Sequence, residues 1–276
     1  MSDHVTLTLR ASLDEPVGLE SVVPDQLAAL DEAEIERLPV WAGRYQRVLG
    51  DFFDVRGGRS ASVRVVGDVR LGLGLGTGMA APGASVVVDG NAGSHTGAGM
   101  IAGIIEIVGN AGSDTGVGMS GGSIHVRGNA GDRVGAGLPG ASRGMTGGEI
   151  VVHGTIGDDA GAHMRRGLLF VGGDAGQMTA RSIIAGTVVV AGRVGAEPAL
   201  GSKRGTLVVG REVDVPVTYR YACRYHPPHV RLALTHVSRR FHIAIDHRLV
   251  QGTFDRYCGD AGSVSRGEIL RWVHAS

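Results

Sequence analysis

The chain has 276 residues, of which 47 are glycine, and aromatic residues make up only 4% of the sequence. Glycine usually contributes about 7% of a globular protein, so this composition excludes an ordinary domain with an aromatic core, and the lack of a Gly-X-Y repeat excludes collagen. The formal net charge is zero, so the overall charge does not indicate a nucleic acid or an anionic membrane as a partner.

Nothing in the sequence indicates export or insertion into a membrane. The first ten residues, MSDHVTLTLR, contain no apolar signal core, and no run of about 18 apolar residues is present to span a bilayer. The two cysteines, Cys223 and Cys258, are too few for a disulfide framework. We therefore expect a cytoplasmic protein with reduced thiols that binds neither membrane nor nucleic acid.

Residues 1–60 are expected to form an N-terminal cap with one helix. Residues 5–9 alternate like a short strand. Apolar residues at near-helical spacing predict a helix over residues 25–38, with Asp25 as its N-cap and with Pro39 ending it.

Residues 61–211 contain a repeat. Seven glycines each close a four-residue apolar pattern, and four of the six intervals between them are 19 residues, while the other two are 23 and 26. The glycines are Gly67, Gly90, Gly109, Gly128, Gly154, Gly173 and Gly192. A fixed period in this range is typical of repeat architectures. The pattern predicts eight strands, at residues 63–67, 86–90, 105–109, 124–128, 150–154, 169–173, 188–192 and 207–211.

The period predicts an all-β parallel β-helix of about seven 19-residue coils. The first and third positions of each strand are branched aliphatics, so one face of the strands should form a continuous core. A second apolar column is expected in the linking segments, formed by Met100, Met119, Leu138, Met164 and Ile183. Residues 139–145 are the expected insertion within the repeat.

The second position of each later strand carries an apolar side chain on the face away from this core. These residues are Val151, Phe170, Val189 and Val208, whereas Glu106 and His125 make the earlier strands polar. Large apolar stripes on soluble proteins are usually covered. Either the chain's own C-terminal segment or another subunit should therefore cover the four residues, which we treat as a possible partner interface.

Residues 212–276 depart from the repeat and are expected to form a basic, His-rich C-terminal cap. Arg239 and Arg240 lie in this segment, and we treat them as possible contacts to an anionic carrier or to an acidic partner surface. Cys223, His226 and His229 have C-x2-H-x2-H spacing, and Cys258 could complete a zinc site. The paired signature of such sites is missing, so we favour ordinary turn and surface residues and predict no metal.

Other polar patterns in the repeat favour structure over chemistry. The glycines of residues 72–78 resemble a dinucleotide loop but fall at a corner of the repeat, without the required βαβ unit. His95, Asp114, Arg133 and Asp159 occupy equivalent positions of successive repeats and should form a column of stacked charges. No nucleophile has an obvious activating partner, so we predict no catalytic residues.

The repeats and their flanks together resemble a known family. Tandem segments of the form [IV]-x-V-x-G-N-A-G-x-x-x-G-x-G-M-x-G-G, the preceding LPVWAGRYQRVLGDFFDV and the late FDRYCGDAGSVSRGEIL are similar to the C subunit of formylmethanofuran dehydrogenase and to its counterpart in the bacterial formyltransferase/hydrolase complex. The repeat also resembles the C-terminal GXGXG domain of glutamate synthase. The resemblance implies that the β-helix is right-handed.

The same resemblance implies a non-catalytic subunit that holds no cofactor. In the family it is accompanied by three kinds of chain, namely an amidohydrolase-like A subunit, the B subunit and a formyltransferase D subunit. The complex uses formyl-tetrahydromethanopterin and a methanofuran-type carrier, and it releases formate.

Three other functions stay open at this point. The first is the C subunit of a molybdenum or tungsten formylmethanofuran dehydrogenase. The second is a stand-alone β-helix enzyme that acts on carbohydrate, which would require clustered acidic and basic residues on one face. The third is an ammonia-handling accessory domain like that of glutamate synthase.

Overall fold

The computed structural model describes residues 4–263 and 266–273. Residues 1–3 of the N-terminal stretch, and Val264 and Ser265 of the late FDRYCGDAGSVSRGEIL motif, lie outside the described residues.

Strands outnumber helices among the described residues, and the helices are mostly short. The strands are β1 (Val5–Leu9), β2 (Val17–Gly18), β3 (Pro39–Ala42), β4 (Tyr45–Val48), β5 (Phe53–Arg56), β6 (Ser62–Val66), β7 (Gly72–Leu73), β8 (Ser85–Asp89), β9 (Ile104–Ile107), β10 (Ser123–Val126), β11 (Glu149–Val152), β12 (Leu168–Val171), β13 (Thr187–Val190), β14 (Thr206–Val209), β15 (Arg220–Tyr225), β16 (Thr253–Gly259) and β17 (Gly267–Val273). The helices are α1 (Pro24–Leu27), α2 (Glu32–Glu36), a 3-10 turn (Leu49–Asp51), α3 (Pro228–Phe241) and α4 (His247–Val250).

Most strands belong to one large sheet of 13 strands. Its order is β15-β16-β17-β14-β13-β12-β11-β10-β9-β8-β6-β1-β5, and a second sheet of four strands has the order β4-β3-β2-β7. The eight repeat strands pair in parallel, β1 and β17 add parallel strands at the two ends, and the outermost pairings are antiparallel.

The prediction of a right-handed parallel β-helix with separate terminal caps was wrong. The structure shows a 13-stranded mixed sheet with a four-stranded sheet beside it, and segments from both ends of the chain supply strands to the large sheet. An array of strands leaves unpaired backbone groups at each end, and β1 and β17 satisfy those of β6 and β14. The repeat period predicts strands and their spacing, but it carries no information about strands from outside the repeat.

The pairing register confirms the predicted repeat. Val63 pairs with Val86, which pairs with Ile105, and the series continues without a slip to Val188 and Leu207. Each strand begins one residue before the predicted pattern, and the glycine that closes seven of the eight patterns lies one or two residues beyond the end of its strand. The first and third residues of the apolar pattern, such as Val63 and Val65, are buried in all eight strands, which confirms the predicted aliphatic core.

The second apolar column is confirmed except at one position. Met100, Met119, Met164 and Ile183 are fully buried, but Leu138 is 45% exposed and Met145 is buried in its place. The Met145 N–H donates to the Gly135 carbonyl, so the chain rejoins the repeat at this methionine. The inserted residues therefore lie on the surface and include Leu138.

The N-terminal helix prediction was wrong in its extent. The segment forms two short helices, α1 and α2, because Asp31 and Glu34 make a capping box that starts a new helix. Asp25 is not an N-cap. Its carboxylate instead accepts hydrogen bonds from the N–H groups of Ala80 and Ala81 in the repeat.

Polar side chains join each repeat to the next. Asn91 Oδ1 accepts the Asn110 N–H at 2.8 Å, and Asn110 Oδ1 accepts the Asn129 N–H at the same distance. Glycine is required where backbones approach closely, because a Cβ at Gly93 would lie 1.9 Å from the Gly72 carbonyl oxygen. Stacking of repeats thus uses side-chain acceptors and glycines together.

Within the described part of the chain, no helix has the length and apolar character needed to cross a membrane.

Candidate functional site

The outer face of the large sheet, opposite the aliphatic core, carries an apolar stripe, a pair of histidines and a cavity. In β11–β14, the residues at the second position of the repeat's apolar pattern, which is the third residue of each strand, are at most 1% exposed and form a separate apolar cluster with residues of the C-terminal segment. These second positions are Val151, Phe170, Val189 and Val208.

Helix α3 covers this stripe. Val230, Leu234, Val237 and Phe241 recur on one face of the helix and are buried against the sheet. Pro228 occupies the first turn, where its missing N–H costs nothing. Of the two coverings considered from the sequence, the structure shows the chain's own C-terminal segment, so the four stripe residues present no surface to a partner here.

Helix α3 was not predicted from the sequence, because Cys223, His226 and His229 were interpreted as ordinary turn and surface residues. Two signals were present: a proline suited to the first helical turn and four apolar residues spaced about one turn apart. The apolar face of α3 and the apolar stripe bury each other, so each provides the cover that the other needs.

Arg239 and Arg240 lie near the C-terminal end of α3, on its solvent side. Arg240 Nε is 3.7 Å from Glu149 Oε2, and His236 Nε2 is 2.7 Å from Glu149 Oε1. Arg239 makes no ion pair with any residue that the structure describes. Both arginines are exposed, and their contact with a partner stays a prediction.

The arginines of the C-terminal segment are partly neutralised within the chain. Asp255, which is 3% exposed, pairs with Arg224 Nε at 2.7 Å and with Arg271 at 3.1 Å. The hydrogen bond from Arg224 and, less strongly, that from Arg271 hold the pKa of Asp255 below its usual value, although burial opposes the shift. The basic residues that remain free are thus fewer than the sequence indicates.

Two histidines meet at the edge of the covered stripe. His125 Nε2 and His153 Nε2 are 2.6 Å apart, so one neutral imidazole donates to the other. The Phe241 ring meets the His125 ring edge-on at 5.3 Å. Burial, followed by the charge that His153 could carry, lowers the pKa of His125 to about 4. Burial also lowers the pKa of His153, so both rings are neutral at neutral pH.

A cavity of about 610 Å³ lies between the sheet and the segment around α4. Its floor includes Phe170 and the small residues Gly172, Ala191 and Gly210, which follow the second positions of consecutive strands. Its lining is completed by His153, Arg211, Ile243, Ala244, Ile245, Asp246, Arg248, Leu249 and Trp272. Nothing in the sequence pattern alone placed these residues together.

The predicted column of stacked charges is present. Asp114 Oδ1 accepts from Arg133 Nε at 2.7 Å, and His95 Nε2 lies 3.7 Å from Asp114. Asp159 pairs with Arg181 at 2.7 Å instead of with Arg133. The carboxylates thus join neighbouring repeats, as expected for a stacking role.

The residues considered for a metal site do not converge. Cys223 is exposed and Cys258 is half-buried. His226 Nδ1 is 3.1 Å from the Gly252 carbonyl, and His229 faces Glu268 at 3.8 Å. Among the described residues, no group of three or more His, Cys, Asp or Glu side chains could hold a metal ion.

Neither the models of known protein families nor the curated proteins give a match to this chain. A solved structure does: a chain in the X-ray crystal structure of the formyltransferase/hydrolase complex (FhcABCD) from Methylorubrum extorquens in complex with methylofuran. The two chains are 34% identical, with a TM-score of 0.86, and the match covers 98% of this chain and 100% of the other. This chain therefore belongs to the same protein family as that chain of the formyltransferase/hydrolase complex.

Proposed function

We propose that this chain is the C subunit of a formyltransferase/hydrolase complex, with a structural role and without an active site of its own. The observation that carries the proposal is the 34% identity over nearly the whole length of both chains. In the proposed complex, this chain is accompanied by an amidohydrolase-like A subunit, the B subunit and a formyltransferase D subunit. They pass formyl from formyl-tetrahydromethanopterin to a methanofuran-type carrier and release formate in the cytoplasm.

The structural role is supported by the use that the repeats make of their polar side chains. Asp132 Oδ1 and Asp158 Oδ1 each accept a backbone N–H from the next repeat, at 2.9 and 2.8 Å, and Asp174 Oδ1 accepts the Arg193 N–H at 2.7 Å. Asp114 and Asp159 are paired with arginines. Carboxylates held by backbone N–H groups and by arginines in this way stiffen a stack of repeats.

The partner contacts are proposed to include the solvent side of α3. Arg239 and Arg240 are exposed there, and the only carboxylate within reach of Arg240 among the described residues is Glu149, at 3.7 Å. An acidic surface of a partner subunit would complement these two charges.

The experiment is native mass spectrometry of the chain recovered from its own cells at endogenous level. We expect an amidohydrolase-like chain and a formyltransferase chain to co-purify, and formyl hydrolysis to disappear when the gene is deleted. Recovery of a molybdenum or tungsten subunit would favour the dehydrogenase instead. A lone, catalytically active oligomer would contradict the proposal.

The role of α3 is tested by reversing both charges, with Arg239→Glu and Arg240→Glu in one chain. We expect less of the partner chains to co-purify, because two attractive charges become repulsive. The matched control is Arg239→Lys with Arg240→Lys, which keeps the charge. Unchanged recovery and turnover in the reversed variant would remove α3 from the interface.

A further inference from the structure

We propose that the cavity between the sheet and α4 is a binding site for a small organic anion with a flat apolar body, such as an aromatic carboxylate. The proposal is independent of the assembly role above, because it concerns a cavity formed by this chain alone. This cavity, the trough, extends from His153 to Trp272.

The length of the trough follows from the strand register. His153, Gly172, Ala191 and Gly210 each follow the last paired residue of β11, β12, β13 and β14, and Trp272 occupies the next row in β17. Neighbouring parallel strands are about 4.8 Å apart, so the imidazole and the indole stand roughly 19 Å apart along the sheet. Three small residues between two aromatic rings leave an open slot.

The floor of the trough stays open because its glycines lie against the backbone of the neighbouring strand. A Cβ at Gly172 would lie 2.3 Å from the His153 carbonyl oxygen, and one at Gly210 would lie 2.4 Å from the Ala191 carbonyl oxygen. Glycine is therefore required at both positions, and side chains cannot fill the floor there. Ala191 is the one floor residue in this column that could carry a larger side chain.

Apolar side chains form part of the floor and part of the roof. Phe170 is 1% exposed beneath the trough, and Ile243 and Leu249 close it from above, at 8% and 3% exposure. A volume of about 610 Å³ is typical of cavities that bury small ligands. The flat backbone of the floor suits a planar ring in particular.

The mouth of the trough is positively charged. Arg211 and Arg248 line it, and neither makes an ion pair with a residue that the structure describes. Asp246 is the one carboxylate in the lining, and its Oδ1 accepts the Arg248 N–H at 2.8 Å as the N-cap of α4. Two free guanidinium groups at the mouth of an apolar slot fit a carboxylate or a phosphate attached to a flat apolar body.

The probe is naphthalene-2-carboxylate, and its uncharged analogue naphthalene-2-carboxamide is the matched control. Binding is measured by titration calorimetry on the full chain and on the complex recovered from cells. We expect the carboxylate to bind both, with a Kd below about 1 mM, and the carboxamide to bind about tenfold more weakly.

Two kinds of variant assign the binding to the trough. Ala191→Leu fills the slot, and Arg211→Gln with Arg248→Gln removes the charge at its mouth. We expect the first to abolish binding and the second to weaken it about tenfold. Arg56→Gln, in β5 at the opposite end of the large sheet, should leave binding unchanged. The arginine pair keeps the test decisive if Ala191→Leu fails to fold.

Several results would overturn the proposal. One is equal binding of the carboxylate and the carboxamide, and another is binding that neither the filled slot nor the missing charge affects. Failure of the full chain to bind is a third. Binding to the free chain but not to the complex would overturn it for the assembled protein, because a partner subunit would then occupy the trough.

Discussion

The two halves of the outer sheet face differ, although the same repeat builds both. On β11–β14 the second positions are apolar and buried under α3. On β6, β8 and β9 the same positions are Arg64, Val87 and Glu106, of which Arg64 is exposed and the others half-buried. Ile104 and Val108, which flank Glu106 on the outer face, are 45% and 48% exposed.

The difference shows that the repeat fixes the type of side chain on only one face of the sheet, the face towards the aliphatic core. The aliphatic core requires a branched side chain at the first and third position of each repeat's apolar pattern, as at Val86 and Val88 in β8. The second position is free to vary, so one half of the sheet could acquire an apolar stripe and the helix that covers it. The other half stays accessible, which makes it available for contacts outside the chain.

The largest expected difference between the halves is in the free energy of unfolding lost when one valine at the equivalent position of each half is replaced by alanine. Val189→Ala should lower the free energy of unfolding by about 2–3 kcal/mol, because it leaves a cavity under α3. Val87→Ala, at the equivalent position of the uncovered half, should cost less than about 1 kcal/mol. Urea unfolding of both variants measures the difference, and equal losses would mean that α3 does not seal the covered half.

The boundary between the halves should respond to pH. His125 has a folded-state pKa of about 4, so between pH 6.5 and 4 the unfolded chain binds more protons than the folded chain. Stability is therefore complete above about pH 6.5 and falls as the pH drops towards 4. One pKa unit corresponds to about 1.4 kcal/mol, and we expect a loss of roughly 1–3 kcal/mol.

The control for the pH effect is a double variant, His125→Val with His153→Ala. Its free energy of unfolding should fall less than that of the natural chain between pH 7 and pH 4.5. An identical pH dependence would show that other groups cause the acid sensitivity.

The smallest change in stability is expected on the uncovered half. Ile104→Ser with Val108→Ser should alter the free energy of unfolding by less than about 0.5 kcal/mol, because both side chains are about half exposed. If this half contacts a partner subunit, the same variant should reduce the co-purification of that subunit. Full recovery of the partners would show that the exposed isoleucine and valine lie outside the interface.

Much of the repeat was predictable from the sequence because its signal is local. The spacing of Gly67, Gly90 and the later glycines predicted which residues pair, and the structure confirms the register. The apolar second positions also predicted that something must cover β11–β14. Each of these inferences depends on the alternation of side chains along a strand.

The trough and the histidine pair could not be predicted in the same way. His125 and His153 are 28 residues apart and meet because of the 26-residue interval between β10 and β11. Arg211 and Arg248 line one cavity because α4 returns to the sheet beside Gly210. Such contacts depend on where a non-repeating segment docks, which no local pattern encodes.

The sequence by itself determined the repeat strands, their pairing and the aliphatic core, because a fixed period forces the same side chains to the same face. Only the tertiary structure decided that β1 and β17 extend the sheet and that α3 covers the later strands, leaving a trough beneath α4. The physical reason is that an unpaired strand edge must be hydrogen-bonded and an apolar stripe must be covered, but neither feature determines which segment does so. Which segment satisfies that demand is settled by the packing of the whole chain.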